Sequence, residues 1–241
     1  MKAWQAALGA LALVAGAAQA ALINRGGGMI YDSTLNITWL ADMNYASTSG
    51  HTGIGVNADG TMTWAAAGSW ANNLVYGGFD DWRLPTHNSS DTNCSKSYNF
   101  GGDGWPLEYF GYNCTGGEIG HLFVTDLGNK AKESVLNQDG DTGEQVANFA
   151  LFSNVQSSTY WSGTLSPSDP SLVWGFNTFN VFGAGGGAVG LGVIVHSRYS
   201  LAVRPGDVAA PVPEPQVLAL ALLALGGLAA TRRCKAAAPT A

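Results

Sequence analysis

The chain alternates between short apolar runs and long polar, glycine-rich stretches, a pattern that predicts short strands more than long helices. Residues 30–40 contain two β-rich runs separated by Asp32-Ser33, which indicates an opening hairpin. After Phe149 the pattern is again typical of strands, at 159–163, 172–181, 189–195 and 199–203. These segments predict an antiparallel meander in one sheet.

Two segments show helical periodicity instead. The first begins after Thr63 and ends at Gly77-Gly78. The second begins at Thr115-Gly-Gly-Glu118, which matches a capping box, and ends at Gly128. Their apolar faces comprise Trp64, Ala67, Ala71 and Leu74 in the first helix and Ile119, Leu122, Phe123 and Leu127 in the second. The pattern as a whole predicts an α+β fold with an antiparallel sheet and two helices.

The segment between these helices combines bulky apolar and charged side chains. It reads Asp81-Trp82-Arg83-Leu84-Pro85 and predicts a turn whose large apolar side chains enter the core. Arg83 is expected to be held by Asp80 or Asp81. A catalytic or anion-binding role for the guanidinium is the alternative, but a structural ion pair is favoured among apolar neighbours.

Residues 87–117 form an insertion-like stretch rich in Asn, Ser, Gly and Tyr. Cys94 and Cys114 lie within it and predict one disulfide if the protein is exported. On the chain-entropy account, closing this loop stabilises the fold by roughly 3 kcal/mol. A reactive thiol pair is the alternative, with Lys96 as its only nearby positive charge.

The same insertion carries three aromatic residues, Trp105, Tyr109 and Tyr112, among carboxylates and carboxamides. Flat aromatic faces beside hydrogen-bonding groups can hold a sugar ring, so these residues are candidate ligand-binding positions. The rings could equally serve only to pin a large loop to the body. Both interpretations stay open.

A calcium site is the weakest of the candidates. Asp139, Asp141 and Glu144 offer acidic side chains in one short segment, but glycine is not at position six of an EF-hand loop and Asn148 stands at position twelve. A solvated acidic turn is therefore favoured, and no other metal or cofactor is expected. His121 lacks the two-histidine zinc signature.

The net charge and the absence of catalytic motifs disfavour further classes of function. Residues 21–216 carry seven Lys and Arg against seventeen Asp and Glu, so 7 − 17 = −10. A surface this negative disfavours nucleic acid, whose phosphates need a basic face. A nucleophile elbow, a phosphate loop and a zinc motif are all absent from the sequence, which favours a protein that is not an enzyme.

The N-terminus matches a secretory signal peptide over residues 1–20. A single Lys2 is followed by an apolar run and by Ala18-Gln-Ala20, so cleavage is expected between Ala20 and Ala21. The expected partners are signal peptidase and the Sec machinery, and the mature protein is expected in an oxidising compartment.

The C-terminus has three parts after the domain of residues 21–208. A linker, 209–216, contains Pro213, Glu214 and Pro215, an apolar stretch follows over 217–231, and the basic tail 232–241 begins with Arg232 and Arg233. Its fourteen apolar residues, Val217 to Ala230, would cover as a helix about 21 Å of a hydrocarbon core near 30 Å. The stretch therefore suits a temporary transmembrane tether whose basic end stays in the cytoplasm.

This three-part end resembles the PEP-CTERM sorting signal of Gram-negative bacteria. The resemblance implies recognition by an exosortase-type membrane protease. It also implies a transient inner-membrane anchor, followed by cleavage and delivery to the cell surface or the extracellular space. Such proteins are linked with extracellular polysaccharide and biofilm.

The body of the chain resembles the Lcl C-terminal domain family, a domain of unknown function. The matching pieces are Tyr31-Asp32, Ile37-Thr-Trp-Leu40, Thr63-Trp-Ala-Ala66, Asp81-Trp-Arg-Leu-Pro-Thr86, Glu118-Ile-Gly-His-Leu122, Tyr160-Trp-Ser-Gly163 and Ala202-Val-Arg-Pro205. The resemblance implies a small C-type-lectin-like domain, and some members bind sulfated glycans. We expect a non-catalytic module that interacts with glycan or matrix; the alternative is an enzyme on a fold similar to formylglycine-generating enzymes.

Overall fold

The computed structural model describes residues 22–179 and 185–208, which form an α+β arrangement of two antiparallel sheets and a few short helices. The strands are β1 (Leu22–Gly26), β2 (Met29–Asp32), β3 (Ile37–Leu40), β4 (Lys96–Tyr98), β5 (Glu108–Tyr112), β6 (Thr159–Leu165), β7 (Leu172–Asn177), β8 (Ala188–Val193) and β9 (Val203–Pro205). The helices are α1 (Tyr45–Thr48), α2 (Trp64–Asn72), α3 (Glu118–Gly120), a π-helix (His121–Asp126) that continues α3, and α4 (Gly143–Phe149).

The first sheet has the strand order β1-β2-β3-β9 and contains the predicted hairpin. Strands β2 and β3 pair in register, with Ile30 opposite Trp39. The turn between them is held by the Asp32 carboxylate, which accepts hydrogen bonds from the backbone N–H groups of Thr34 and Leu35. Strand β9 then pairs with β3, so the last strand lies beside the opening hairpin.

The second sheet has the order β4-β5-β8-β7-β6. The prediction of a single sheet was therefore wrong, and residues 199–203 do not extend the meander, because Val203 begins β9 in the first sheet. The insertion at 87–117 supplies β4 and β5, and β5 pairs with β8 through Gly111 and Tyr112. Backbone pairing thus makes the insertion part of the sheet.

The apolar faces of the two sheets and of the helices build two buried clusters. The first surrounds Trp39, Phe123, Tyr160, Trp174 and Phe176, and the second surrounds Leu40, Met62, Trp70, Trp82 and Trp161. Trp174 and Phe176 are fully buried and, two positions apart, lie on the same side of β7.

Helix α2 begins where predicted but ends early. The Thr63 side chain accepts from the Ala66 N–H at 3.5 Å and caps the helix, whose last residue is Asn72. The expected stop at Gly77-Gly78 was wrong, because these glycines form a tight turn between Tyr76 and Phe79. Both adopt positive φ, of 63° and 85°, which favours glycine.

The second predicted helix exists, but its predicted capping box does not form. Gly117 is the N-cap, Glu118 is bonded to Arg83, and the Thr115 hydroxyl accepts from Asn93. The predicted apolar face is fully buried, at Ile119, Leu122, Phe123 and Leu127. A capping box forms instead between Thr142 and Gln145, where α4 begins.

Within the described residues, the structure contains no helix long and apolar enough to cross a membrane. The predicted signal peptide, the linker and the predicted span at 217–231 lie outside residues 22–179 and 185–208.

Candidate ligand-binding groove

The segment Asp81–Pro85 is a structural clamp. Trp82 and Leu84 are buried as predicted, and Arg83 exchanges two backbone hydrogen bonds with Val203, of 2.8 and 2.9 Å. The predicted partner of Arg83 was wrong: its guanidinium binds Glu118 at 2.6 Å, and Asp81 binds Arg204 at 2.7 Å. Both ion pairs tie this segment to distant parts of the chain.

The predicted disulfide between Cys94 and Cys114 is confirmed, with the two Cα atoms 4.3 Å apart. It lies at the base of the β4–β5 hairpin, where the Ser95 N–H donates to the Tyr112 carbonyl at 2.8 Å. Neither sulfur is a free thiol in this structure.

The three aromatic residues proposed as ligand contacts do not lie together. Trp105 is 50% exposed and stands against Gly101 in the hairpin loop. Tyr109 and Tyr112 are three positions apart on β5, so their side chains point to opposite faces of the sheet. Tyr109 packs against the first buried cluster, whereas Tyr112 lines a groove on the other face.

This groove has a volume of about 520 Å³ and crosses the second sheet. The strand register explains its lining. Ala188 of β8 pairs with Tyr112 of β5 on one side and with Asn177 of β7 on the other, so the three residues lie in one row across the sheet. Two residues further along, Gly175 pairs with Gly190 on the same face. On the other side of β5, Lys96 of β4 pairs with Phe110.

Glycine gives the groove its floor. A Cβ placed on Gly190 would meet nothing within 4 Å, so this part of the sheet is open above the backbone. The Arg198 guanidinium lies beside Gly175 and Gly192, and a Cβ on Gly192 would overlap it. The Arg198 guanidinium also stacks over the Trp161 ring, 4.5 Å from the ring centroid. The small residues therefore make room for a cation laid against the sheet.

The sides of the groove provide hydrogen-bonding and stacking groups. Burial lowers the pKa of Arg198, but a guanidinium remains charged at neutral pH. Its backbone is fixed by two hydrogen bonds with Met62, of 2.8 and 2.9 Å. The Asn177 carboxamide oxygen accepts from the Thr159 hydroxyl, which leaves the Asn177 amino group to donate. Tyr112 supplies an aromatic side chain at the opposite end. Phe110 also lines the groove, but its ring packs against Trp174 of the first buried cluster, with 6.1 Å between the centroids.

The weak calcium candidates are arranged around a lysine. The Lys130 ammonium lies 2.5 Å from an Asp141 carboxylate oxygen and 2.8 Å from the Asp139 carbonyl oxygen. Glu144 lies in the first turn of α4, where its negative charge interacts favourably with the helix dipole. The ammonium thus supplies the positive charge that a calcium ion would have brought to these residues.

A different group in the described part of the chain could hold a metal ion, namely Asp32, His121 and Asp126. None of the three lines the groove. Burial raises the pKa of Asp126 to about 8, with smaller contributions from Asp32 and Glu144.

The sequence pattern could not single out the groove residues Arg198, Asn177 and Gly190. They lie at the end of β7, within β8 and in the loop after β8, and they share no motif. The available signal was the set of glycines in residues 185–192. The pattern predicted a strand at 189–195 but not that its glycines form the floor of a groove.

Comparison with protein families gives one match. The model of the Lcl C-terminal domain matches residues 28–204, which is most of the chain. Searches among curated proteins and among solved structures found no significant match. The chain therefore belongs to the Lcl C-terminal domain family, and this membership indicates a secreted or surface protein.

Proposed function

We propose that this protein is an exported, non-catalytic module that binds glycan in the groove of its second sheet, at the cell surface or in the extracellular matrix. The observation that carries the proposal is the lining of that groove. Open backbone at Gly190 lies between the Tyr112 side chain at one end and the Arg198 guanidinium, which lies against Gly175 and Gly192, at the other. The groove holds positions for stacking and for hydrogen bonding on one surface.

A sugar ring fits this chemistry because it has both an apolar face and a rim of hydroxyl groups. The ring of Tyr112 can stack against the apolar face. The charged donors Arg198 and Lys96 can then bond the hydroxyl oxygens, and hydrogen bonds from charged groups are stronger than neutral ones. The Gly190 backbone leaves space for the ring above the sheet.

Charge favours a neutral or weakly charged glycan over a densely sulfated one. Only seven Lys and Arg stand against seventeen Asp and Glu in residues 21–216, and two of the seven line the groove. The surrounding negative field would repel a polysulfated chain beyond the groove itself.

Export and sorting complete the proposal. Cleavage after Ala20 would release the domain from its signal peptide. The motif at Pro213, Glu214 and Pro215, with Arg232 and Arg233, would direct it to an exosortase-type protease in the inner membrane of a Gram-negative bacterium. A disulfide between Cys94 and Cys114 suits an exported protein. The natural ligand would then be the extracellular polysaccharide of the producing cell or its biofilm.

The scaffold in this proposal is C-type-lectin-like. Two antiparallel sheets with few helices, and a last strand beside the first hairpin, support that interpretation. The alternative enzyme would need a free thiol pair or a metal centre, and the disulfide makes the first form unfavourable. We propose binding without catalysis.

A glycan array and co-sedimentation with the producer's polysaccharide test the function directly. Tyr112→Ala and Arg198→Gln are expected to weaken binding at least tenfold. Tyr98→Ala and Arg25→Gln serve as matched controls, because Tyr98 is an exposed aromatic on the same sheet and neither residue lines the groove. Failure to bind any glycan would contradict the proposed function. Loss of binding in Trp105→Ala alone would place the site in the hairpin loop instead.

A further inference from the structure

We propose that Asp32, His121 and Asp126 form a binding site for one divalent transition-metal ion of the zinc class. The three residues offer one ligand atom each, and these atoms all lie within 4.8 Å of one another. Asp32 ends strand β2 and the other two lie at the two ends of the π-helix. The site therefore joins the first sheet to the helical segment, away from the groove.

The Asp126 carboxylate shows why these residues need a partner. The residue is 6% exposed, and its Oδ2 atom has no hydrogen-bond partner among the described residues. A buried polar atom without a partner costs free energy, and more so when it carries charge. Its other oxygen lies 3.6 Å from His121 Nε2, which is too long for a strong hydrogen bond. A metal ion would satisfy both groups.

The surrounding structure orients the first ligand. One Asp32 oxygen accepts from the Thr34 and Leu35 N–H groups at 2.9 and 3.0 Å, and the other lies 3.5 Å from Trp39 Nε1. Such hydrogen bonds around a ligating carboxylate fix its direction. Asp32 is itself 2% exposed, so its carboxylate is held in the interior by these contacts.

The π-helix places the other two ligands. Its wider turn is closed by bonds from residue i+5 to residue i, as between the Leu127 N–H and the Leu122 carbonyl at 2.9 Å. His121 and Asp126 are five positions apart and so lie about one turn apart on the same side. The Asn148 amide donates to the Asp126 carbonyl at 3.1 Å and holds this end of the helix in place.

The donor set selects the type of metal. One imidazole nitrogen with two carboxylate oxygens suits zinc or a similar transition ion, whereas calcium takes oxygen ligands. Zinc bonds of about 2.0–2.2 Å bring tetrahedral ligand atoms to about 3.4 Å from one another. Since the ligand atoms lie within 4.8 Å of one another, the cluster needs to contract by no more than about 1.4 Å. The His121 side chain is 16% exposed, which leaves one side open for a water molecule as the fourth ligand.

The test uses the mature protein, stripped with chelator and then dialysed against Zn²⁺, Mn²⁺ or Ca²⁺. We expect one zinc or manganese per chain by elemental mass spectrometry, and a rise in Tm of about 5–10 °C when the free ion is 100 times its Kd. Cobalt should give a visible absorption band from the bound ion. His121→Gln and Asp126→Asn should lose the metal, the band and the rise in Tm, while His51→Gln and Asp139→Asn should keep all three.

Two results would overturn the proposal. The first is a stripped protein that takes up no stoichiometric zinc or manganese and shows no change in Tm. The second is a rise in Tm that persists in His121→Gln, because the ion would then bind elsewhere. His121 is only partly buried, so this variant should fold even if Asp126→Asn does not. Neither result depends on glycan binding, so the two proposals fail separately.

Discussion

Arg83 and Glu118 are 35 positions apart and bind each other through two parallel hydrogen bonds, of 2.7 and 2.6 Å. Glu118 also accepts from the Thr86 N–H at 2.8 Å. Burial by itself would raise the pKa of Glu118, but the bonds from Arg83 and Thr86 outweigh it and lower the pKa below its ordinary value. The pair fastens the extended segment at 81–85 to the start of helix α3.

Glu118→Gln should therefore destabilise the fold by about 1.5–3 kcal/mol, the range for hydrogen bonds to charged groups. The free energy of unfolding in urea measures the loss. Asp207→Asn is the matched control, because it removes the partner of Arg25 in a more exposed ion pair and should cost less than about 1 kcal/mol. Equal losses of unfolding free energy in the two variants would show that the Arg83–Glu118 pair stabilises the fold no more than an exposed ion pair does.

The disulfide should carry a measurable share of the stability. Replacing both Cys94 and Cys114 by Ser opens the hairpin that supplies β4 and β5, and we expect a loss of about 3 kcal/mol. Chemical unfolding with and without reductant measures it. Reductant should lower the stability of the wild-type domain and leave the double variant unchanged. A reductant effect of equal size in both proteins would contradict this prediction.

His87 should make the fold sensitive to acid. Its ring is buried against Trp174, with 4.9 Å between centroids, and burial lowers its pKa from 6.5 to about 4. Between these two pH values the unfolded chain binds a proton that the folded chain excludes, so stability falls as the pH falls. The loss from this group should reach about 3 kcal/mol at pH 4.

A variant that cannot titrate isolates this effect. His87→Gln can keep a donor toward the Tyr109 carbonyl, which the His87 ring approaches at 3.2 Å. Unfolding free energies are measured for both proteins at pH 7, 6, 5 and 4. As the pH falls, the wild type should lose more stability than the variant does. A constant difference from pH 7 to pH 4 would mean that His87 is protonated equally in both states.

Local parts of the fold were predictable because short-range patterns determine them. The hairpin at 30–40 follows from alternation and a turn, and the apolar face of 119–127 follows from its spacing. The disulfide followed from cysteine count and expected export. Each of these three predictions depends only on residues that are neighbours in sequence or on a pair within one loop.

Long-range partners were not predictable by the same means. Arg83 has two acidic neighbours in sequence, yet its partner is Glu118, because the extended backbone of this segment places Asp81 beside Arg204 instead. Thr115 and Glu118 match a capping box, but the carboxylate is taken by Arg83. The predicted meander included the pairing of β7 with β8, but it specified neither their register nor the position of the Arg198 side chain beside Gly175 and Gly192.

The most direct test of the proposed function is to fill the groove without disturbing the fold. Gly190→Val places a side chain where nothing lies within 4 Å, and valine suits a strand, so its Tm should stay within a few degrees of wild type. Gly68→Ala, in helix α2 and outside the groove, is the control, and alanine should slightly stabilise that helix. Titration with the producer's polysaccharide should show that Gly190→Val binds with at least tenfold lower affinity than wild type, whereas Gly68→Ala binds like wild type. Undiminished binding by a folded Gly190→Val protein would contradict a glycan site on this face of the sheet.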